Sequence, residues 1–361
     1  MNIRLVILFL LWRLYLFLVS YISPSLINFA GTFPYFKERL IDSNLPHFIW
    51  AFGSFDGVHY LGIAKDLYAY QYTQAFFPIC PLLIKIFSIF TFGNLLLSAL
   101  IISNIAFLAA ILIFHKLMLK IYDKKIAFWS CIFLLSFPTS FYFGSIYTEG
   151  LFFLMIISSF YYLEKKNFLL ASVIGTFASA TRLTGLFLFP AFVFSKEKRR
   201  WPFLFIPLGL IVYMLYLKLE FNNPLYFLTS QSIFGQERSV GSFILLPQVF
   251  YRYLKILLTT SGQPYINALF ELSSTIFAIF ALLLSIKIVK REWLIFSAIA
   301  VLVPTLTGTF ASMPRYILLA FPIYIYLAHI KSDKIKLAIA FVFICILFIT
   351  TTYFSQGYWV A

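Results

Sequence analysis

Two acids, an imidazole and two guanidinium groups stand out in a chain with few charges of any kind. The segment Phe52-Gly53-Ser54-Phe55-Asp56-Gly57-Val58-His59-Tyr60-Leu61 sets a carboxylate and an imidazole close together in a polar loop after the first apolar stretch. If the segment is helical, Asp56, His59 and Tyr60 share one face at i, i+3 and i+4. A carboxylate so placed can take a proton from an attacking hydroxyl, with the imidazole and phenol orienting polar groups beside it. Tyr147-Thr148-Glu149 puts a second acid in the expected first turn of another helix. Arg182, in Ala180-Thr181-Arg182-Leu183-Thr184-Gly185, and Arg315, in Pro314-Arg315-Tyr316, stand between apolar runs or at the start of one. A guanidinium grips phosphate at two points. Arg315 stands where a helix dipole disfavours a cation, a placement that makes sense if an anion sits there too. A base with phosphate-holding cations suits group transfer from a phosphate-linked substrate at a membrane surface.

Each residue also has a plainer reading. Asp-Gly is a common turn pair, Glu149 would complement a helix dipole, and His59 can simply bond a neighbour. Either arginine can be a snorkelling side chain. The rarity of ionisable groups at membrane depth favours a functional reading of Asp56 without closing the others. No phosphate-cradling glycine loop, zinc helix or serine elbow is present in the sequence. No metal or other cofactor is implied, although Asp56, Asp66 and Glu149 could ligate a divalent cation.

The elements that must position these groups are membrane helices. Of the 361 residues, 62% are hydrophobic and 11% charged, which excludes a soluble globular domain. Long apolar runs without alternation exclude a barrel, so the fold is expected to be all-α and polytopic. Breaks in hydropathy predict about eleven spans, near 4–23, 95–114, 126–143, 148–163, 168–181, 183–195, 201–217, 266–286, 293–310, 316–329 and 336–353. The run 82–92 is too short to span and reads as an interfacial helix. Lys116, Lys120, Lys124 and Lys125, with Lys165, Lys198, Arg199, Lys290 and Lys334, fall in short loops on one side, the cytoplasmic side by the positive-inside rule. Loops 24–94 and 218–265 then face out and carry the working parts. The net charge of +15 is accounted for by topology and anionic lipid, with no nucleic-acid partner expected. The N-terminal apolar run lacks a small-residue cleavage site and reads as a retained helix. Cys80, Cys131 and Cys345 are scattered packing residues, and without a repeat or linker the chain 1–361 reads as a single domain.

Phe-Asp-Gly-Val-His-Tyr-Leu (55–61), Ala-Phe-Phe-Pro-Ile-Cys-Pro-Leu (75–82), Phe-Pro-Thr-Ser-Phe-Tyr (137–142), Tyr-Thr-Glu-Gly-Leu-Phe (147–152), Ala-Thr-Arg (180–182) and Pro-Arg-Tyr (314–316) follow one another in order. This series resembles the PIG-V-like mannosyltransferases, relatives of the GPI mannosyltransferase 2 step within the GT-C superfamily. Phe55 stands where that family more often has Trp, and Cys80 where it usually has an aromatic.

The resemblance implies a multi-span GT-C-like enzyme. It would move a hexose, mannose by analogy, from a polyprenyl-phosphate donor to a lipid or glycan acceptor on the extracytoplasmic face. Asp56 is then the catalytic base, and inversion at the anomeric carbon follows from attack opposite the phosphate. His59, Tyr60, Tyr147 and Glu149 would bind substrate, Arg182 and Arg315 would hold the phosphate, and the polyprenyl tail would lie beside 82–92. GPI anchors are eukaryotic and this chain is compact, which points to a prokaryotic cell membrane rather than the endoplasmic reticulum. A transporter or flippase of a lipid-linked sugar is the alternative, but transporters concentrate charge near the midplane and pair related halves. Neither feature is present in the sequence.

Overall fold

The computed structural model describes residues 3–234 and 243–360; of the loop 218–265, expected to face out, the stretch 235–242 with Arg238 lies outside the described residues. Helix is the regular structure throughout the described residues. Among the described residues, five helices are long and apolar enough to cross a bilayer: Ile3–Ser25, Leu95–Leu119, Trp201–Phe221, Gln263–Ser285 and Asp333–Ser355. The helix Glu149–Glu164 packs between Leu95–Leu119 and Phe168–Ser179.

Helix starts follow from capping chemistry. Asn94 accepts from the Leu97 N–H at 2.9 Å, Asp123 from Ile126 at 2.8 Å, and Asn167 from Leu170 at 3.2 Å. Each satisfies a donor that the first helical turn leaves open. The expected run of about eleven spans does not persist as unbroken helices, and proline and glycine are the reason. The run expected at 126–143 ends at Ser136, before Phe137-Pro138. The run at 183–195 is a 3-10 turn, Leu183–Phe187, followed by Leu188–Val193, and the run at 316–329 is the pieces Met313–Tyr316, Ile317–Leu319 and Pro322–Ala328. The pieces from Met313 to Ala328 are buried inside the bundle, where irregular backbone is tolerated, whereas Leu183–Val193 is buried only in part.

The two ends of the bundle differ in character. At one end the basic loops meet carboxylates: Lys290 Nζ lies 2.6 Å from Glu164 Oε2, and Asp333 lies 2.7 Å from Lys125 Nζ and 2.8 Å from Lys336 Nζ. Glu149, at the opposite end of the helix from Glu164, belongs to the other. There, the chain 137–148 forms a buried loop that ties distant segments together. The Ile146 N–H donates to Phe52 O at 2.8 Å, Tyr147 Oη to Ser54 O at 3.0 Å, Thr139 Oγ1 to Pro314 O at 2.7 Å, and Thr350 Oγ1 to Pro138 O at 2.5 Å. The segments carrying Asp56, Glu149 and Arg315 are thereby held in register.

Arg13, left by the sequence inside the first span, is buried with its guanidinium over the rings of Phe17 and Phe52, at 4.0 Å and 4.3 Å. Such stacking partly offsets the loss of water around the cation.

Candidate active site

Asp56 opens the helix Asp56–Asp66. Phe55 before it has φ 59°, a region that side chains other than glycine rarely occupy. Its ring is fixed by Phe33 at 4.7 Å and Trp359 at 5.1 Å, so packing sustains the strained turn that aims the carboxylate. Ser312, ahead of Arg315, is likewise left-handed at φ 66°.

Asp56, Tyr60, Glu149, Arg182 and Arg315 line one cavity of about 530 Å³. Arg315 Nη1 donates to Asp56 Oδ2 at 2.6 Å, and its Nε lies 3.2 Å from Glu149 Oε1. Arg182 Nη1 donates to that same Glu149 oxygen. Glu149 is 1% exposed, so it acts as a buried bridge between two cations. The chain's own carboxylates thus supply an anion at the position of Arg315. An approaching phosphate would compete with them for donors already oriented toward the cavity.

His59 and Tyr147 stand one layer behind. His59 stacks on Phe76 at 5.0 Å and 18°, and Phe76 is the residue that reaches the cavity wall. Burial pushes the His59 imidazole below its ordinary value, Asp56 pulls the other way, and Arg39 adds to the lowering. Tyr147 supports Arg315 from beneath, the guanidinium carbon 5.4 Å from its ring centroid. Tyr60 is held in its protonated form chiefly by burial and then by Asp56, and remains a donor. Asp66, considered as a metal ligand with Asp56 and Glu149, instead faces Arg39 at 3.9 Å. Among the described residues no three of His, Cys, Asp or Glu gather as a metal site would require.

Leu183, Phe187, Leu228, Val303 and Leu306 add apolar surface to the lining, interspersed with Thr184, Gln231 and Thr307. The run 82–92, expected to border the lipid tail, contributes nothing to it. Sequence reasoning also missed Tyr316, beside Arg315, and Trp359, which lines the cavity from the end of the chain. Nothing local marks Trp359, because its place depends on the helix Asp333–Ser355 returning the chain to this end.

Residues 2–201 match the family described as Mannosyltransferase (PIG-V). The chain belongs to that family. Asp56, Glu149 and Arg182 lie within the matched PIG-V stretch, whereas Arg315 and Trp359 lie beyond it. A GPI mannosyltransferase 2 of Cryptococcus neoformans var. neoformans serotype D, strain B-3501A, is 29% identical over 185 residues, 48% of this chain and 41% of that protein. The protein of the same name from strain JEC21 is 29% identical over 159 residues, 41% of this chain and 36% of its own length. This PIG-V family chain thus spans less than half of these relatives. Among solved structures, an Archaeoglobus fulgidus oligosaccharyltransferase tethered to an acceptor peptide aligns with 96% of this chain and 55% of its own, at 15% identity and a TM-score of 0.38. That likeness is too slight to argue from.

Proposed function

We propose that this chain is a membrane mannosyltransferase that moves a hexose from a polyprenyl-phosphate donor to a lipid or glycan acceptor on the extracytoplasmic face. The observation that carries the reading is the meeting of Asp56, Glu149, Arg182 and Arg315, far apart in the chain, around one cavity whose lining is also rich in apolar side chains. Polar and apolar surface together suit a substrate with a charged sugar-phosphate head and an isoprenoid tail.

In the resting site Asp56 is occupied by Arg315. The donor phosphodiester, singly charged like a carboxylate but with two non-bridging oxygens that can engage both guanidinium groups at once, competes for Arg315 and Arg182 and releases Asp56 toward the acceptor. Asp56 then accepts the acceptor hydroxyl proton as its oxygen attacks the anomeric carbon. The bond from that carbon to the phosphate oxygen breaks, its electron pair leaving with the phosphate, and the configuration inverts. Both arginines stabilise the charge that builds on the leaving oxygen, in a site partly shielded from water. Glu149 keeps the two guanidinium groups aimed into the cavity, and Tyr60 donates to a hydroxyl of sugar or acceptor. The apolar side chains from Leu183 to Leu306 take the first isoprenoid units in place of 82–92.

The deciding experiment supplies purified protein in lipid with radiolabelled polyprenyl-phosphate mannose and a membrane lipid extract. Label moving to a new acceptor with release of polyprenyl phosphate supports the proposal. Intact donor accumulating across the bilayer would instead establish a transporter.

A further inference from the structure

Trp359 takes no part in the chemistry above, yet the backbone that carries it is firmly held. The helix Asp333–Ser355 ends with Gly357 at φ 74°, and the Tyr358 N–H donates back to Tyr353 O at 3.0 Å. Gln356 binds this segment to 23–30. Its Nε2 donates to Ser23 Oγ at 2.6 Å, and its carbonyl accepts from the Ala30 N–H at 2.8 Å. Ser355 Oγ donates to the same Ser23 hydroxyl at 2.8 Å. None of these bonds uses the indole, so the ring is presented to the cavity by a scaffold that does not depend on it.

The ring stands beside the base. Its edge-to-face contact with Phe55, at 5.1 Å and 81°, ties it to the residue immediately before Asp56, and Trp359 and Asp56 line the same cavity. The guanidinium groups face other rings: Arg315 lies 5.4 Å from the Tyr147 centroid and 5.8 Å from that of Tyr142, and Arg182 5.7 Å from that of Phe152. The indole is thus tied to Asp56, where an acceptor must arrive, rather than to the cations that face the phosphate. A buried Trp ordinarily finds a partner for its N–H. Among the described residues that of Trp359 has none, so the residue is not kept here as an internal polar anchor.

We propose that Trp359 is the acceptor platform of the cavity, a specificity-determining residue whose indole lies against the apolar C–H face of the acceptor's sugar ring and turns one ring hydroxyl toward Asp56. The inference rests on the glycosyl-transfer reading above and narrows it. A rigid aromatic face supplies contact area at little cost in side-chain freedom, and it fixes the plane of the ring that rests on it. Orientation of that kind is what lets a single carboxylate choose one hydroxyl among several. A lipid alcohol has no comparable face, so the platform favours a glycan or glycolipid head over a bare lipid alcohol.

The test compares wild type, Trp359→Phe and Trp359→Leu as full chains in a detergent without a sugar head. Binding is read from tryptophan emission, with polyprenyl phosphate present to occupy the arginines; the difference between wild type and Trp359→Phe isolates one of six indoles. Methyl α-mannopyranoside is expected to shift that difference spectrum, and glycerol at the same concentration is not. In the transfer assay at saturating donor, the half-saturating amount of lipid extract should rise about tenfold in Trp359→Leu and less than threefold in Trp359→Phe, while the donor Kd moves less than twofold. A donor Kd that rises as much as the acceptor requirement would make the ring a packing residue only and overturn the proposal. So would a difference spectrum that the mannoside leaves unmoved or glycerol moves equally. Unchanged acceptor saturation in an active Trp359→Leu enzyme would also overturn it and leave the sugar-transfer reading standing. A mannoside-specific shift in wild type that transfers no sugar would do the reverse.

Discussion

Arg315 Nη1 lies 2.6 Å from Asp56 Oδ2, an ion pair that joins residues 259 positions apart. The pair fixes where the reactive carboxylate points, and it also means that Asp56 is not free to act until something else satisfies Arg315. A phosphate-bearing donor can do this and a bare acceptor cannot. We therefore expect ordered kinetics, donor before acceptor, read from initial-rate patterns and product inhibition. Random order with equal affinity for acceptor in the presence and absence of donor would contradict the competition.

Asp56→Asn keeps the size of the side chain and removes its charge. Transfer should fall by roughly 10²–10⁴-fold, the span of a lost general base, with the protein still monodisperse on gel filtration. Lys198→Ala, on a loop away from the cavity, should stay within about twofold of wild type, as an exposed charge usually does. Full activity in Asp56→Asn would remove the proposed base.

Glu149→Gln tests the buried bridge. Glu149 is 1% exposed and meets both Arg182 and Arg315. Its neutral replacement leaves two cations in a poorly solvated site with fewer anions. Breaking a buried pair costs about 3–5 kcal/mol. Thermal unfolding in detergent should shift clearly downward, more than for Asp56→Asn, whose carboxylate is 23% exposed. An unchanged unfolding temperature would mean that Glu149 contributes no net stability.

Gly150→Ala tests the seat of Glu149. A Cβ at that glycine would stand 2.5 Å from Phe143 O and 2.9 Å from Ser103 O, both backbone atoms that cannot swing aside. The substitution should cost a few kcal/mol and lower both expression and transfer, as overpacking does. Gly93→Ala gives the contrast, since nothing lies within 4 Å of a Cβ there and its effect comes only from the φ of +83°. Measured unfolding temperatures should rank wild type above Gly93→Ala above Gly150→Ala.

His59 predicts the acid limb of stability. Burial lowers its pKa, with Asp56 opposing and Arg39 reinforcing, whereas the unfolded chain keeps the ordinary value of about 6.5. Just below that value the unfolded state binds the proton and the folded state does not. Stability contributed by the neutral ring is therefore complete above about pH 6.5 and is lost as pH falls toward the lowered folded value. Unfolding temperature against pH should decline through this window in wild type and be flatter in His59→Gln. Parallel curves would show that His59 does not titrate differently in the two states.

The sequence by itself determined the class of this molecule. Its apolar runs and scarcity of charge require a helical membrane protein, because an unpaired backbone cannot lie in lipid. The few polar residues that break the pattern, Asp56, Glu149, Arg182 and Arg315, were visible as candidates for the same reason: burying them costs too much unless they have partners or work. The helix starts at Asn94 and Asp123 depend on local capping chemistry too, although the sequence reading did not single them out.

What the tertiary structure decided was partnership and depth. Which carboxylate meets which arginine depends on the buried loop 137–148 and on contacts across hundreds of residues, and no local pattern encodes those. Hydropathy could not show that 183–195 and 316–329 are broken pieces around a cavity, since a buried irregular segment is as apolar as a spanning helix. His59 and Tyr147 share the motifs of Asp56 and Glu149, yet they stand behind the cavity wall, because spacing along a helix fixes a face and not the neighbour that covers it. Trp359 reaches the cavity only through the path of the last helix, a long-range consequence of packing that composition and spacing do not carry.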